Sequence, residues 1–222
     1  MKKILFIPVV NHFELLEKAI NSVPDGLFDE YFIFNNSGGE IPINLKHFKL
    51  FDNVGRKTFR DTQNIMRQYA IDNACDYYCF MHNDGEVLDD TVQRLLAMAE
   101  SQTEPWSVIF THYDVLCAYS TECVKKIGLW GDLKWPKEQQ NGYYLDNDYY
   151  RRMNLEWAKE QQLPNSNVLH TEYSNTIRNP DEQRLWETQI RYVENHYLKK
   201  WGGLPGQEQY AEAFGGFLRK DE

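Results

Sequence analysis

The sequence predicts an α/β fold, with a mixed, mainly parallel central sheet flanked by helices and closed by a C-terminal helix and a tail. Three observations predict it. The first hundred residues alternate short apolar, β-rich runs with segments whose apolar residues recur at helical spacing, the pattern of a mainly parallel sheet covered on both faces. Strand ends run into polar or glycine-containing turns at Asn35-Asn36-Ser37-Gly38-Gly39, Asp52-Asn53-Val54-Gly55 and Asn83-Asp84-Gly85. Finally, 222 residues with no internal repeat, low-complexity tract or linker suit one domain.

Lys3 to Val9 is apolar and β-rich, as for a buried strand. Leu15, Leu16, Ala19, Ile20 and Val23 follow at helical spacing, and Pro24-Asp25-Gly26 stops that helix. Glu30 to Phe34 and Phe48 to Phe51 are the next strands. A helix from about Thr58 to Asn73 carries Phe59, Met66, Tyr69 and Ala70 on one face. Tyr77 to Met81 is a strand. Asp89 or Asp90 then caps a helix with Val92, Leu95, Leu96 and Ala99 inward. Ser107–Thr111 and Val115–Tyr119 read as strands, Thr121–Ile127 as a short helix, and Gly128–Gly142 as loop. A helix is expected from Leu145 to Gln162, stopped by Leu163-Pro164-Asn165, then a strand over Asn167–His170. Asp181 to Trp201 is an amphipathic helix ended by Gly202-Gly203-Leu204-Pro205-Gly206. The tail, with Tyr210, Phe214 and Phe217, is a packed arm or a lid.

Composition narrows the class. Hydrophobic content of 42% with 26% charged residues is globular rather than disordered. A net charge of -9 argues against a general polyanion binder. The apolar run after Met1-Lys2-Lys3 is too short for a signal peptide, and no segment approaches the ~20 apolar residues of a membrane span. A cytoplasmic protein is expected. Cys75, Cys79, Cys117 and Cys123 fit no zinc spacing and are expected to be reduced thiols.

Two stretches concentrate chemistry. Asp76 to Asp89 reads as an apolar strand ending in His82-Asn83-Asp84-Gly85-Glu86. His82 and Asp84, two apart on an extended segment, share a face. Asp84 is the natural carboxylate for a divalent cation, with Glu86 a second candidate. His82 either ligates directly or hydrogen-bonds an oxygen of a bound ligand. A plain polar turn is the structural alternative. The second stretch is Leu145-Asp146-Asn147-Asp148-Tyr149-Tyr150-Arg151-Arg152. Asp148, two residues from Asp146 on a helix, points elsewhere, as a first-turn acid or a partner of Arg151 or Arg152. Arg56, Lys57 and Arg60 follow Gly55 near a helix start and either attract phosphate or form a solvated cationic face.

The order of motifs resembles the nucleotide-binding half of family 2 glycosyltransferases with the GT-A fold. The carriers are Pro8-Val9-Val10-Asn11 after the first strand, Asn35-Asn36-Ser37-Gly38 after the second, and Asn53-Val54-Gly55. His82-Asn83-Asp84 stands in place of the family's Asp-x-Asp. Leu145-Asp146-Asn147-Asp148 with Arg152 resembles Glu-Asp-x-Asp-x-x-x-Arg, and His170 stands where many members have a histidine near the metal. Tyr197-Leu198-Lys199-Lys200-Trp201-Gly202-Gly203 resembles a closing segment, so the resemblance covers about residues 3 to 203. The departures are His82 for an acid, Leu145 for Glu, and Asn35 where an Asp often reads uracil.

The resemblance implies one GT-A domain over 1–222, with a nucleotide-binding half (1–100), an acceptor half (101–203) and a tail (204–222). It implies a metal-dependent, inverting transferase moving a hexosyl or pentosyl group from a nucleoside diphosphate sugar, a UDP-sugar favoured, to a hydroxyl acceptor. The acceptor is a glycan precursor or, less favoured by the negative charge, a hydroxymethylated DNA base. Asp84, His82 and His170 would hold Mn²⁺ or Mg²⁺ on the diphosphate, and Asp146 would be the base. Pro8, Val9, Asn11, Asn35, Ser37, Asn53 and Asn83 would line the donor site. Arg152 either braces the acids or approaches a phosphate. Trp130 and Trp135 either stack on the acceptor or pin their loop. The rival readings are a non-catalytic nucleotide-sugar-binding module and a sugar-phosphate nucleotidyltransferase. The latter usually carries a Gly-rich phosphate loop, and Val9 to Phe13 has no glycine.

Overall fold

A computed structural model describes residues 1–51, 55–131, 142–171 and 178–220, with side chains to residue 216. Asn53 and Trp135, expected at the donor and acceptor sites, lie outside the described residues.

The first half alternates β1 (Lys3–Val9), α1 (Phe13–Ser22), β2 (Glu30–Asn35), β3 (Lys49–Leu50), α2 (Phe59–Asp72) and β4 (Tyr77–Met81). Then come β5 (Gly85–Val87), α3 (Thr91–Glu100), β6 (Val108–Thr111), β7 (Tyr113–Ser120) and α4 (Thr121–Ile127). The second half adds α5 (Leu145–Glu156), β8 (Gln161–Gln162), β9 (Val168–His170) and α6 (Pro180–Trp201). Seven strands form one sheet in the order β3-β2-β1-β4-β7-β6-β8, and β5 pairs with β9 in a small second sheet. The pairs β1–β2, β1–β4, β2–β3 and β6–β8 are parallel, while β7 runs antiparallel to β4 and β6. The expected mixed, mainly parallel sheet with flanking helices is therefore present.

Strand alternation builds the two faces. Leu5, Ile7 and Val9 of β1 point into a core with Leu16 and Ile20 of α1 and Val92 and Leu95 of α3. Ile4 and Phe6 point the other way, among Met66 and Ala70 of α2, Tyr149 and Met153 of α5, and Val193, Tyr197 and Trp201 of α6. The chain leaves β1 for β2 on one side and returns to β4 on the other. The crevice beyond the carboxyl ends of β1 and β4 is therefore the switch point where such sheets take ligands. Asn83 Nδ2 donates to the Asn11 carbonyl across it at 3.0 Å.

The elements depart from expectation in two places. Helix α5 ends at Glu156 rather than running to Gln162. Asn154 Oδ1 accepts the Glu160 N–H, a side-chain bond that competes with helical pairing, and Gln161–Gln162 joins the edge of β6 instead. Gly85–Val87, given no element of its own in the sequence reading, is a strand because β9 pairs with it. The tail is a packed arm over its described part: Tyr210 packs on Gly202, and Arg151 Nη2 donates to the Tyr210 carbonyl at 2.7 Å.

The expectation of Trp130 as an acceptor platform is corrected. Its side chain is fully buried and lies parallel to the Tyr149 ring with centroids 4.1 Å apart. Its loop closes against α2, where Asn64 exchanges hydrogen bonds with the Trp130 backbone. Trp130→Ala should cost about 3–5 kcal/mol through the cavity it leaves. Urea unfolding measures this, and a loss below ~1 kcal/mol would contradict a core role.

Candidate functional site

Strand pairing assembles the site. Strand β4 ends at Met81 opposite Leu116, and the His82 N–H continues the ladder by donating to the Val115 carbonyl at 2.8 Å. That register places Asp114, the next residue along β7, beside His82. Its Oδ1 lies 3.8 Å from His82 Nε2. The chain then turns at Asn83-Asp84, with the Gly85 N–H donating to the His82 carbonyl at 3.1 Å. A Cβ on Gly85 would sit 2.8 Å from Val115 Cγ1, so close backbone approach requires glycine there. Gly85 pairs directly with His170 across the β5–β9 ladder. His170 Nε2 thereby comes within 3.2 Å of Asp84 Oδ1.

His82, Asp84 and His170 each offer one ligand atom, all within 4.8 Å of one another. Asp84 is buried, while both imidazoles are partly exposed. His82 Nε2 is a buried ring nitrogen with no hydrogen bond among the described residues. Two ring nitrogens and a carboxylate oxygen at this spacing fit a divalent cation with positions left for water or phosphate oxygens.

The second acid cluster reaches the first through Asp114. Tyr150, one helical turn after Asp146 on α5, donates its hydroxyl to Asp114 Oδ2 at 3.1 Å. Its oxygen also lies 2.8 Å from that of buried Tyr119. Burial holds both phenols well above their ordinary pKa, so both stay protonated and Tyr119 supplies the proton of that contact. Asp146 is partly buried, and its Oδ1 accepts the Asn147 N–H at 2.8 Å. Its carboxyl is pushed up to about 7, by burial first and by the Asp114 charge second, against the lowering effect of that hydrogen bond. A carboxyl poised near neutrality beside a metal-type cluster can take a proton from a hydroxyl.

Other expected site residues distribute as follows. Pro8, Val9 and Asn11 sit at the carboxyl end of β1, with Val9 buried. Asn35 organises its own turn: its Oδ1 accepts from the Ser37 N–H and hydroxyl, and its Nδ2 donates to the Gly39 carbonyl. Of the two readings of Arg152, bracing is the one realised. Nε meets Asp148 Oδ2 at 3.2 Å, and Nη1 and Nη2 donate to the Ile127 and Leu129 carbonyls. Its guanidinium ties the end of α4 and the residues after it to α5. Asp148, expected as a first-turn acid or arginine partner, is fully buried and also meets Lys200 and Trp201.

Sequence reasoning missed Asp114 and Tyr150. Tyr150 carried a readable signal, lying at i+4 from Asp146. Asp114 carried none, because its place depends on the β4–β7 register.

No protein-family model matches the sequence, and no curated protein sequence matches it. Solved structures do match. S. aureus TarS 1-349 superposes with TM-score 0.57 at 11% identity, over 89% of this chain and 72% of that one. The mannosyltransferase PcManGT of Pyrobaculum calidifontis, in complex with GDP-Man and Mn²⁺, gives 0.58 at 10% identity, over 86% and 64%. Glucosyl-3-phosphoglycerate synthase of Mycobacterium tuberculosis, in complex with Mn²⁺, UDP and glucosyl-3-phosphoglycerate, gives 0.53 at 12% identity, over 86% and 80%. The chain spans 44% of the longer TarS structure. The fold is the GT-A fold, shared with these structures.

Mn²⁺ should bind the isolated protein and Mg²⁺ should compete poorly, because Mg²⁺ prefers oxygen ligands. Asp84→Ala and His170→Ala should each weaken Mn²⁺ binding at least about tenfold, read by electron paramagnetic resonance of free Mn²⁺. An unchanged isotherm for Asp84→Ala would remove the site.

Proposed function

We propose that this chain is an inverting glycosyltransferase that moves a sugar from a nucleoside diphosphate sugar to a neutral hydroxyl. The observation that carries the reading is the meeting of two clusters through Asp114 in a GT-A fold. On one side stand His82, Asp84 and His170, and on the other Asp146 with a carboxyl near neutrality.

Asp84, His82 and His170 would hold the divalent ion. When bound, it supplies positive charge against the departing diphosphate, and two imidazoles beside one carboxylate favour Mn²⁺ over Mg²⁺. The crevice at Pro8, Val9, Asn11, Asn35, Ser37 and Asn83 would receive the nucleotide at the switch point. The acceptor oxygen attacks the anomeric carbon from the face opposite the diphosphate. Its proton passes to a carboxylate oxygen of Asp146. The bond from the anomeric carbon to the diphosphate oxygen breaks with its electron pair on that oxygen, so configuration inverts. Asp114 holds the second negative charge, which keeps Asp146 basic enough to accept the proton. Two nearby carboxylates also disfavour an anionic group next to the attacked hydroxyl, which argues for a neutral acceptor.

The first experiment is thermal shift with UDP, GDP and their common sugar conjugates, with and without Mn²⁺, followed by donor hydrolysis without acceptor. Stabilisation by a nucleoside diphosphate sugar with slow hydrolysis is expected. Binding with no turnover would favour the non-catalytic module, and pyrophosphate release from a sugar phosphate and NTP would favour a nucleotidyltransferase.

Asp146→Asn should abolish transfer while donor affinity survives. Asp146 works as its anion, which forms only above its pKa, so the rate should fall below pH 7 and level off above it. Asp114→Asn removes the negative neighbour and should shift that limb to lower pH. A limb that stays in place would show that Asp146 does not feel the Asp114 charge.

A further inference from the structure

Helix α5 begins badly for a helix that carries the base. Its N-cap is Tyr144, held at φ 64°, a left-handed conformation that bulky residues rarely adopt, and the Tyr144 side chain makes no capping hydrogen bond. Something outside the helix must fix its start, and α6 supplies three ties. Tyr144 Oη donates to Glu194 Oε1 at 2.9 Å. Lys200 Nζ lies 2.6 Å from Asp148 Oδ1, with both side chains essentially inaccessible to solvent. Trp201 Nε1 donates to the same carboxylate at 2.9 Å.

The arm after α6 reinforces them. Arg151 donates to the Tyr210 carbonyl, lies 3.6 Å from Glu208 and sits 5.0 Å above the Trp201 ring. Tyr197 donates its hydroxyl to Glu208. The carboxylate of Asp148 thus carries Lys200, Trp201 and Arg152 at once, two residues along from Asp146.

A fully buried ion pair contributes little to net stability compared with an apolar pair of the same volume. It does define geometry, because a charged amine tolerates no other position in a dry core. We propose that Lys200 is a positioning residue for the general base. The Lys200–Asp148 latch fixes the first turn of α5, and so holds Asp146 against Asp114, from the far end of the chain. This role for Asp146 rests on the glycosyltransferase reading, whereas the latch on α5 does not.

The test uses Lys200→Met and Lys200→Arg. The double variant Asp148→Asn/Lys200→Met removes both charges of the latch, leaves Arg152 its bonds to the Ile127 and Leu129 carbonyls, and keeps the test open should Lys200→Met fail to fold. Amide hydrogen exchange over residues 145–149 should accelerate at least tenfold in Lys200→Met or the double variant, with β1 and β4 unchanged. Turnover should fall at least tenfold while UDP affinity in Mn²⁺ stays within twofold, and Lys200→Arg should recover part of both. Unchanged exchange over 145–149, or an equal rise in β1 and β4, would overturn the latch by making the pair inert or a general stabiliser. A wild-type protein that binds no nucleotide and turns over no nucleoside diphosphate sugar would overturn the transferase reading, while hydrogen exchange still decides the latch.

Discussion

The pairing of Gly85 with His170 decides whether the ligand set exists. It joins strands of three residues each, in a sheet of only two strands, and such a sheet has little stability of its own. It persists because α1 packs against β5, and because Val87 and Val168 are buried in the larger core. Without that ladder, Asp84 would sit in a free turn and His170 in a loop, and no three ligand atoms would meet. The close approach at Gly85 has the same logic. Its backbone lies against Val115, so the turn carrying Asp84 rests on the strand that carries Asp114.

The two halves of the domain make different contributions. The parallel half offers backbone ends and polar turns at a crevice, which suits a nucleotide. The antiparallel half offers carboxylates at fixed register, which suits proton transfer. Tyr150 joins them, anchored on α5 and hydrogen-bonded to β7. Asp146 and Asp114 are thereby set by one helix–sheet packing, through the buried contacts of Tyr149 and Met153.

Local signals explain what was legible in the sequence. Strands β1, β2 and β4 were readable because their apolar runs end in turn residues that few other contexts require. His82, Asp84 and Asp146 were readable because they crowd at those ends. The end of α5 was not, since its composition past Trp157 remains compatible with a helix, and a side-chain bond from Asn154 decided it. The sequence leaves Trp130 between stacking on the acceptor and pinning its loop because no local pattern fixes the burial of a loop tryptophan, whereas its backbone bonds to Asn64 of α2 and its ring lies on Tyr149 of α5. Asp148 and Arg152 were half legible: their mutual contact follows helical spacing, but Lys200 lies 48 residues beyond Arg152 and no local pattern joins them.

Charge ties the two ends of the site together. Asp84 and Asp114 lie beside two imidazoles, and Asp146 feels the Asp114 charge, so three carboxyls gather at one place. Such a cleft repels a diphosphate, so an anionic donor needs compensating charge there. A divalent ion on His82, Asp84 and His170 would provide it close to Asp84 and farther from Asp146. The distribution keeps the two carboxylate groups distinct: one neutralised by coordination, the other left with its proton affinity raised by burial and by Asp114. The buried cations Arg152 and Lys200 are both consumed by Asp148, behind the first turn of α5. They stabilise the helix without lowering the basicity of the carboxyl that precedes it. The buried cations thus anchor one short helix from behind, at Asp148, while Asp146 keeps the raised proton affinity that burial and Asp114 give it.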